Sequence, residues 1–353
     1  MRLERRAEPS RGWQFAAPVL AIVCTLAVSS LLVAWAGAPV GRAWAMLIEG
    51  GFGSRFALTE TLTRATPLIL TGLAVALAFR ARLFNIGAEG QLYAGALAAV
   101  AVGGLHGGSG FGLPPWLLFP LMIAAASAAG ALLLLGPALA KARLGVDEVV
   151  TTLLLNFIVL LFVSAMLDGP MKDPLAMGWP QSVPLTDEMQ LQRLVERSRV
   201  HSGLLVALAC AALLWAGLRF TTTGFEIRAV GANARAAAFA GMPVAWVTVK
   251  VALGSGALAG LAGAVEVAGR AGYVTLDMSP GYGYSGIVIA MLAALNPLGV
   301  VAAAIFVAGI LVGADSMSRA VGVPTYIADV IVAVALIAML VASALAQMRV
   351  RWR

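Results

Sequence analysis

LFNIGAEGQLYAGAL, residues 83–97, is an apolar run of helical length headed by Asn85, Glu89 and Gln91 and studded with three glycines. Such a run means one thing in water and another in lipid. Composition decides between them. Of 353 residues, 61% are hydrophobic and 12% are charged, about half the charged share of an average soluble domain. Apolar stretches of about 20 residues recur along the chain, the length a helix needs to cross a hydrocarbon core roughly 30 Å thick. The expected fold class is all-α, a polytopic transmembrane helical bundle.

Ten candidate spans fall at 15–36, 62–79, 86–104, 116–136, 148–167, 202–220, 244–267, 283–295, 297–314 and 325–346. They read as one transmembrane domain over 1–353, with an N-terminal segment 1–14, an external loop 168–201 and an inner loop 219–243. The first span follows Arg2, Arg5, Arg6 and Arg11 and ends in Ala34-Trp35-Ala36, which resembles a signal peptide. Its apolar run exceeds the roughly 7–15 residues of a signal core, so an uncleaved helix is expected. With the N-terminus cytoplasmic, inner segments hold fourteen Lys and Arg and outer segments eight, so both termini are expected inside. The net charge of +7 then reflects this topology and anionic lipid head groups, with no nucleic acid implied. Cys24 and Cys210 fall inside spans, and His106 and His201 do not make a metal-binding spacing. Neither a disulfide framework nor a metal site is expected.

Gly256 and Gly260, and again Gly309 and Gly313, repeat the small-xxx-small spacing that lets helix backbones approach closely. They predict tight packing, not a site. The eighth span is too short to cross: only Ile287–Leu295 is continuously apolar. It either extends upstream through Tyr and Gly or forms a half-helix whose broken backbone is buried in protein. In the external loop, TDEMQLQRLVERSRV predicts a helix capped by Thr186.

Two readings fit the head of LFNIGAEGQL. Asn85 and Glu89 suit a capped helix entrance, and they also suit an intramembrane polar cluster facing a cavity, because ionisable groups are costly toward lipid. Asn156, Lys250, Glu266 and Asp329 are the other polar residues within spans, read as satisfied by neighbours. Lys141, Lys172 and Lys250 follow Ala, Met and Val, so no Walker A loop is present. No cofactor is implied, and no catalytic constellation appears. In the inner loop, Asn233 offers a cap, Ala234–Ala240 favour helix, Gly241 ends it and Pro243 restarts the chain. That predicts a short cytoplasmic helix, fit for a groove on a partner or for a plain connector.

At GANARAAAFAG, Gly231–Gly241, the sequence resembles the permease subunits of ABC importers for branched-chain amino acids and simple sugars. The similarity sharpens toward their nucleoside (guanosine-type) branch through LFNIGAEGQL at 83–92, GVDEVVTTLLLNFI at 145–158, DGPMKDP at 168–174 and GYGYSGIVIAMLAALNPLGV at 281–300. Phe157 stands where that family usually has Tyr, and Ala294 where Gly is common. The resemblance implies a multi-pass protein of the bacterial inner membrane without its own nucleotide site. It would work with ATP-binding subunits, a second and non-identical permease subunit, and an external substrate-binding protein. The implied coupling residues are Gly231, Asn233, Arg235, Ala237, Ala238, Ala240 and Gly241. Asn85, Glu89, Gln91, Thr152 and Asn156 have types suited to a nucleoside path and lie within family blocks. The same machine carrying a sugar or branched-chain amino acid, or a secondary carrier needing no ATPase, are the alternatives.

Overall fold

The computed structural model describes residues 2–5, 11–104, 113–322 and 348–351, with short helical pieces at 330, 333–334, 337–338 and 341–342. Its helices are α1 (Arg11–Trp35), α2 (Val40–Phe52), α3 (Arg55–Arg80), α4 (Ala88–Gly103), α5 (Pro115–Leu144) and α6 (Glu148–Asp168). They continue with α7 (Gly203–Phe220), α8 (Thr222–Ala232), α9 (Ala234–Phe239), α10 (Val244–Glu266), α11 (Tyr282–Leu292) and α12 (Pro297–Val321). Among the described residues the regular structure is helical apart from one short ladder, β1 (Arg2–Arg5) antiparallel to β2 (Met348–Arg351). Among the described residues six helices are long and apolar enough to cross a bilayer, and the bent pair α1 and α2 adds up to one more. Most of the last expected span, 325–346, and with it Asp329, lies outside the described residues.

Contacts divide the chain into two units, 1–61 with 306–353 and 62–305. In the first, the chain turns by 117° between α1 and α2, at Gly37, whose φ is +76°. Trp44 Nε1 donates to Ser30 Oγ across the bend at 3.0 Å. Helix α2 lies between the first two expected spans; its 13 residues, with charges at Arg42 and Glu49, do not make a crossing run by themselves. Its buried stripe is Ala43, Leu47 and Gly51. A Cβ on Gly51 would strike the Gly309 carbonyl, and one on Gly313 would strike that of Leu47. The expected tight-packing face of α12 therefore meets α2.

In the second unit α3, α4 and α10 are innermost. Of their apolar stretches, 83% of α3 and 72% of α10 are buried, against 22% for α6 and α7. Close approach is made by glycine meeting backbone: Gly95 of α4 and Gly130 of α5 lie against Gly260, Gly256 against Gly130, and Gly263 against the Leu92 carbonyl. Between helices in lipid no hydrophobic drive exists, so this contact supplies the packing. Gly260→Leu is expected to force α10 off α4 and α5 and to cost at least ~2 kcal/mol, read as a lowered unfolding temperature in detergent.

The external segment is not helical as expected. Only a 3-10 turn, Asp187–Met189, forms after Thr186, whose side chain makes no cap. The chain instead pairs with neighbours. Leu191 N donates to the Ala268 carbonyl at 2.8 Å, and Leu194 N to that of Val200 at 2.8 Å, closing a hairpin. Upstream, Ser182 N donates to Val274 O at 2.9 Å and Leu185 N to Gly272 O at 2.8 Å. Local helix signals lost to these tertiary partners. His201 closes the hairpin, 1% exposed, with neither ring nitrogen hydrogen-bonded. Its ring fills the space beside Gly269 and Gly203. Burial, with Arg270 adding to it, pushes His201 down from 6.5 to about 4. The unfolded hairpin therefore takes up a proton first as pH falls, so stability is full above about 6.5 and declines toward 4. Hydrogen exchange at Leu191 and Leu194, corrected for the intrinsic rate, should show protection at pH 7.5 that weakens by pH 5, and His201→Leu should remove that pH dependence.

Candidate functional site

Between α3 and α4 the backbone is irregular for seven residues, Ala81–Gly87, of which Ala81, Leu83, Asn85 and Gly87 are buried while Arg82 and Phe84 are exposed. Each orphaned amide and carbonyl there needs a protein partner; Asn85 supplies one, and Lys141, Glu148, Thr152 and Asn156 supply others. Asn85 is fully buried. Its Oδ1 accepts from Gly87 N at 2.9 Å and from Gln91 Nε2 at 2.9 Å. Its Nδ2 donates to Gln91 Oε1 at 2.9 Å and to Ser255 Oγ of α10 at 3.1 Å. Ser255 passes its own hydrogen to the Ala74 carbonyl of α3 at 2.7 Å. Asn85 thus makes an Asx turn, while the N-cap position itself is Gly87.

Helix α6 contributes a buried stripe, Glu148, Thr152, Asn156 and Val159, spaced three or four residues apart on one face. Thr152 Oγ1 accepts from Ile86 N at 3.1 Å. Asn156 Oδ1 accepts from Gly90 N at 2.9 Å, and its Nδ2 donates to Ile86 O at 2.9 Å and to the Tyr284 hydroxyl at 3.1 Å. Glu148 accepts from Phe84 N at 3.1 Å and is ion-paired with Lys141, whose Nζ also donates to Arg82 O at 2.6 Å. All five expected path residues therefore meet in one buried cluster, and the hydrogen bonds named here join them to other groups of the protein.

Glu89 lies in the first turn of α4, as its sequence position suggested. Its Oε2 accepts from Gly283 N at 2.6 Å, in the first turn of α11. One carboxylate thus serves two helix N-termini, where negative charge is favoured. Helix α11 is the expected half-helix. The chain leaves α10 through a π turn, Val267–Ala271, runs irregularly over 272–281 and re-enters helix at Tyr282. Tyr93 holds the irregular part, donating to Leu276 O at 2.6 Å and accepting from Ser279 N at 3.3 Å. Glu266 is completely buried and ion-paired with Arg270 through Oε1, while its Oε2 has no hydrogen-bond partner; Lys250 pairs with Glu226 at 3.6 Å. Each charge has an opposite charge beside it, as expected, though the Glu266 carboxylate is hydrogen-bonded at one oxygen only.

The inner loop forms two helices. Thr221 caps α8 through Gly224 N at 3.0 Å. Asn233 caps α9, its Oδ1 accepting from Arg235 N and Ala236 N at 3.1 Å each. Gly241 ends α9 with φ +81°, its N bonded to Ala238 O at 3.0 Å. Ala237 is buried against Ala81, Leu83, Ile227 and Val230, whereas Asn233, Arg235, Ala238 and Ala240 are exposed. Phe239, 97% exposed, projects from the same short helix. Gly231 is buried, and a Cβ there would collide with the Arg80 carbonyl.

Sequence reading passed over Arg80, Lys141, Glu148, Ser255 and Tyr284. Their partners lie 7 to 215 residues away, beyond any local pattern. A clue was available at Ala294, where the related family commonly has Gly. Ala294 and Leu295 hold φ +48° and +60°, a conformation that costs an L-residue ~1–2 kcal/mol.

A buried helical bundle with a half-helix, a broken α10 exit and an exposed inner helix pair is the frame of a membrane permease. The family described as "Branched-chain amino acid transport system / permease component" matches residues 57–340, and the chain belongs to it. It is 38% identical over 320 residues to the guanosine ABC transporter permease protein NupP of Bacillus subtilis, covering 90% of each chain. It is 39% identical over 352 residues to the glucose ABC transporter permease protein TsgB13 of Haloferax volcanii, covering 96% of this chain and 91% of that one. The nucleoside ABC transporter permease protein NupB of Lactococcus lactis is 30% identical over 329 residues, covering 90% and 88%.

Asn156→Leu leaves Gly90 N and Ile86 O without their partner and is expected to destabilise by about 1–3 kcal/mol. Ala294→Gly is expected to stabilise by about 0.5–1 kcal/mol, the relief of left-handed strain less glycine's entropy. Thermal unfolding of the detergent-solubilised variants checks both signs.

Proposed function

We propose that this chain is a membrane-spanning subunit of an ATP-driven importer that carries nucleosides across the bacterial inner membrane. It moves solute by alternating access, performs no covalent chemistry and has no nucleotide site of its own; ATP-binding subunits turn over ATP below it. A second, non-identical permease completes the path, and an external binding protein delivers the substrate. The observation that carries the reading is the inner helix pair: a capped, exposed α9 beside a half-buried α8, in a chain of a transport-permease family. Gly231, Asn233, Arg235, Ala237, Ala238, Ala240 and Gly241 build that pair and are the coupling residues. Asn85, Glu89, Gln91, Thr152 and Asn156 serve the path by holding its irregular backbone.

The proposed topology has about ten spans, one of them broken at 272–281 ahead of α11, with both termini inside. Arg80 lies at the end of α3 where Gly231 of the inner loop abuts it and where Leu295, beyond the end of α11, receives its Nε at 3.0 Å. Lys141 meets Arg82 at that same end, and Arg80 lies near Arg228. Arg143, Arg219 and Arg235 stand in the segments that the proposed topology puts inside, which supports that face as the cytoplasmic one. The nucleoside substrate rests on the likeness to NupP and NupB. A sugar importer is the second reading, favoured by the match to TsgB13 at equal identity.

Copurification with an ATP-binding subunit, followed by calorimetric titration of the cognate external protein with guanosine, adenosine, ribose and glucose, tests this. Nucleoside binding that stimulates ATPase in the reconstituted complex is expected. Glucose binding in its place would move the substrate to the sugar reading, and uptake by the isolated chain without any ATPase would overturn the whole.

A further inference from the structure

The half-helix α11 is held at both ends by the same short stretch of chain. At its N-terminus Gly283 N donates to Glu89 Oε2 at 2.6 Å, and a Cβ on Gly283 would strike the backbone of Ala88 and Glu89. Beyond its C-terminus the Leu295 carbonyl accepts from Arg80 Nε at 3.0 Å. Leu295 and Ala294 are held there in left-handed backbone, a conformation that persists only when its surroundings fix it. Arg80 and Glu89 are the two ends of the linker between α3 and α4.

That linker also touches the inner loop. Gly231 of α8 lies on the Arg80 carbonyl with no room for a side chain, and Ala81 and Leu83 pack in one buried cluster with Ile227, Val230 and Ala237. Arg80 thus turns its carbonyl to the inner loop and its guanidinium to the half-helix. The linker is stiffened from within: Asn85 and Gln91 are doubly hydrogen-bonded, Phe84 N is tied to Glu148, and Lys141 grips Arg82 O. Interlocked polar groups of this kind move as a body, because breaking any one strands a buried donor or acceptor.

We propose that residues 80–89 are the transmission element that carries motion of the inner helix pair to half-helix α11, with Arg80 as the positioning residue at the junction. Nothing in the transport reading requires this route, though it rests on that reading. Motion of α8 presses on the Arg80 carbonyl, the linker shifts as a unit, and both ends of α11 follow. Physical continuity alone does not establish coupling, so the test measures coupling directly.

The complete transporter is reconstituted in liposomes with its external protein, and substrate moved per ATP hydrolysed is measured beside basal ATPase. Arg80→Ala is expected to leave assembly and basal ATPase within about twofold of the parent while lowering substrate moved per ATP about tenfold, the size of a typical allosteric coupling. Arg80→Lys, which keeps the charge but not the Nε geometry, should recover only part of it. Glu89→Ala, which removes the acceptor of Gly283 N, should lower the same ratio, and the Arg80→Ala/Glu89→Ala pair should lose no more than the worse single variant, since both cut one element. Multiplied losses in the pair, or a parental ratio in Arg80→Ala, would overturn the proposal. If Arg80→Ala assembles poorly, the Glu89→Ala ratio with the parental yield decides alone. A parent complex that transports without ATP would sink the importer reading instead, a distinct result.

Discussion

The structure depends on one constraint: backbone that is not helical cannot face hydrocarbon with its amides unpaired. Two stretches of the second unit break this regularity, the linker 81–87 and the segment 272–281 ahead of α11. Both are closed by side chains, most of them from neighbouring helices. Asn85, Thr152, Asn156 and Glu148 serve the first; Tyr93, Ser182 and Glu89 serve the second and its junction with α11. An unmade bond of this kind costs about 1–3 kcal/mol, so a handful of them rivals the net stability of a domain. The polar residues of an otherwise oily chain are placed where the backbone demands them.

This changes what such residues mean. An asparagine inside a membrane span invites a reading as a substrate contact. Here the Asn85 and Asn156 amides each make bonds at both ends to fixed protein groups. Their chemistry is that of a brace, and the cluster ties α3, α4, α6, α10 and α11 to a single irregular turn. A permease that rocks between two openings requires bodies that stay rigid while others move. In the transport cycle proposed above, the polar brace is the candidate for one such body.

Much of the helix layout was legible. Runs such as Glu148–Asp168 declare themselves by length, with Asp147 capping at Val149 N, and the inner helix was readable because Asn233 and Gly241 act through local backbone chemistry. The half-helix was visible as an apolar run too short to cross. Other elements were not, for physical reasons. Helix α2 is stabilised by glycine contacts with α12 some 260 residues away, which no window detects. The external helix predicted after Thr186 gave way to pairing of Leu191 with Ala268. At the site, residue types were legible and partners were not: Glu89 meets Gly283 across 194 positions.

The most direct test of this account is amide hydrogen exchange of the protein in lipid nanodiscs, resolved at Ile86, Gly87, Gly90 and Gly283. These non-helical or helix-terminal amides are predicted to exchange as slowly as the interior of α4, because each is bonded to a buried side chain. Exchange as fast as that of the exposed turn at 174–179 would contradict the claim that side chains close the broken backbone.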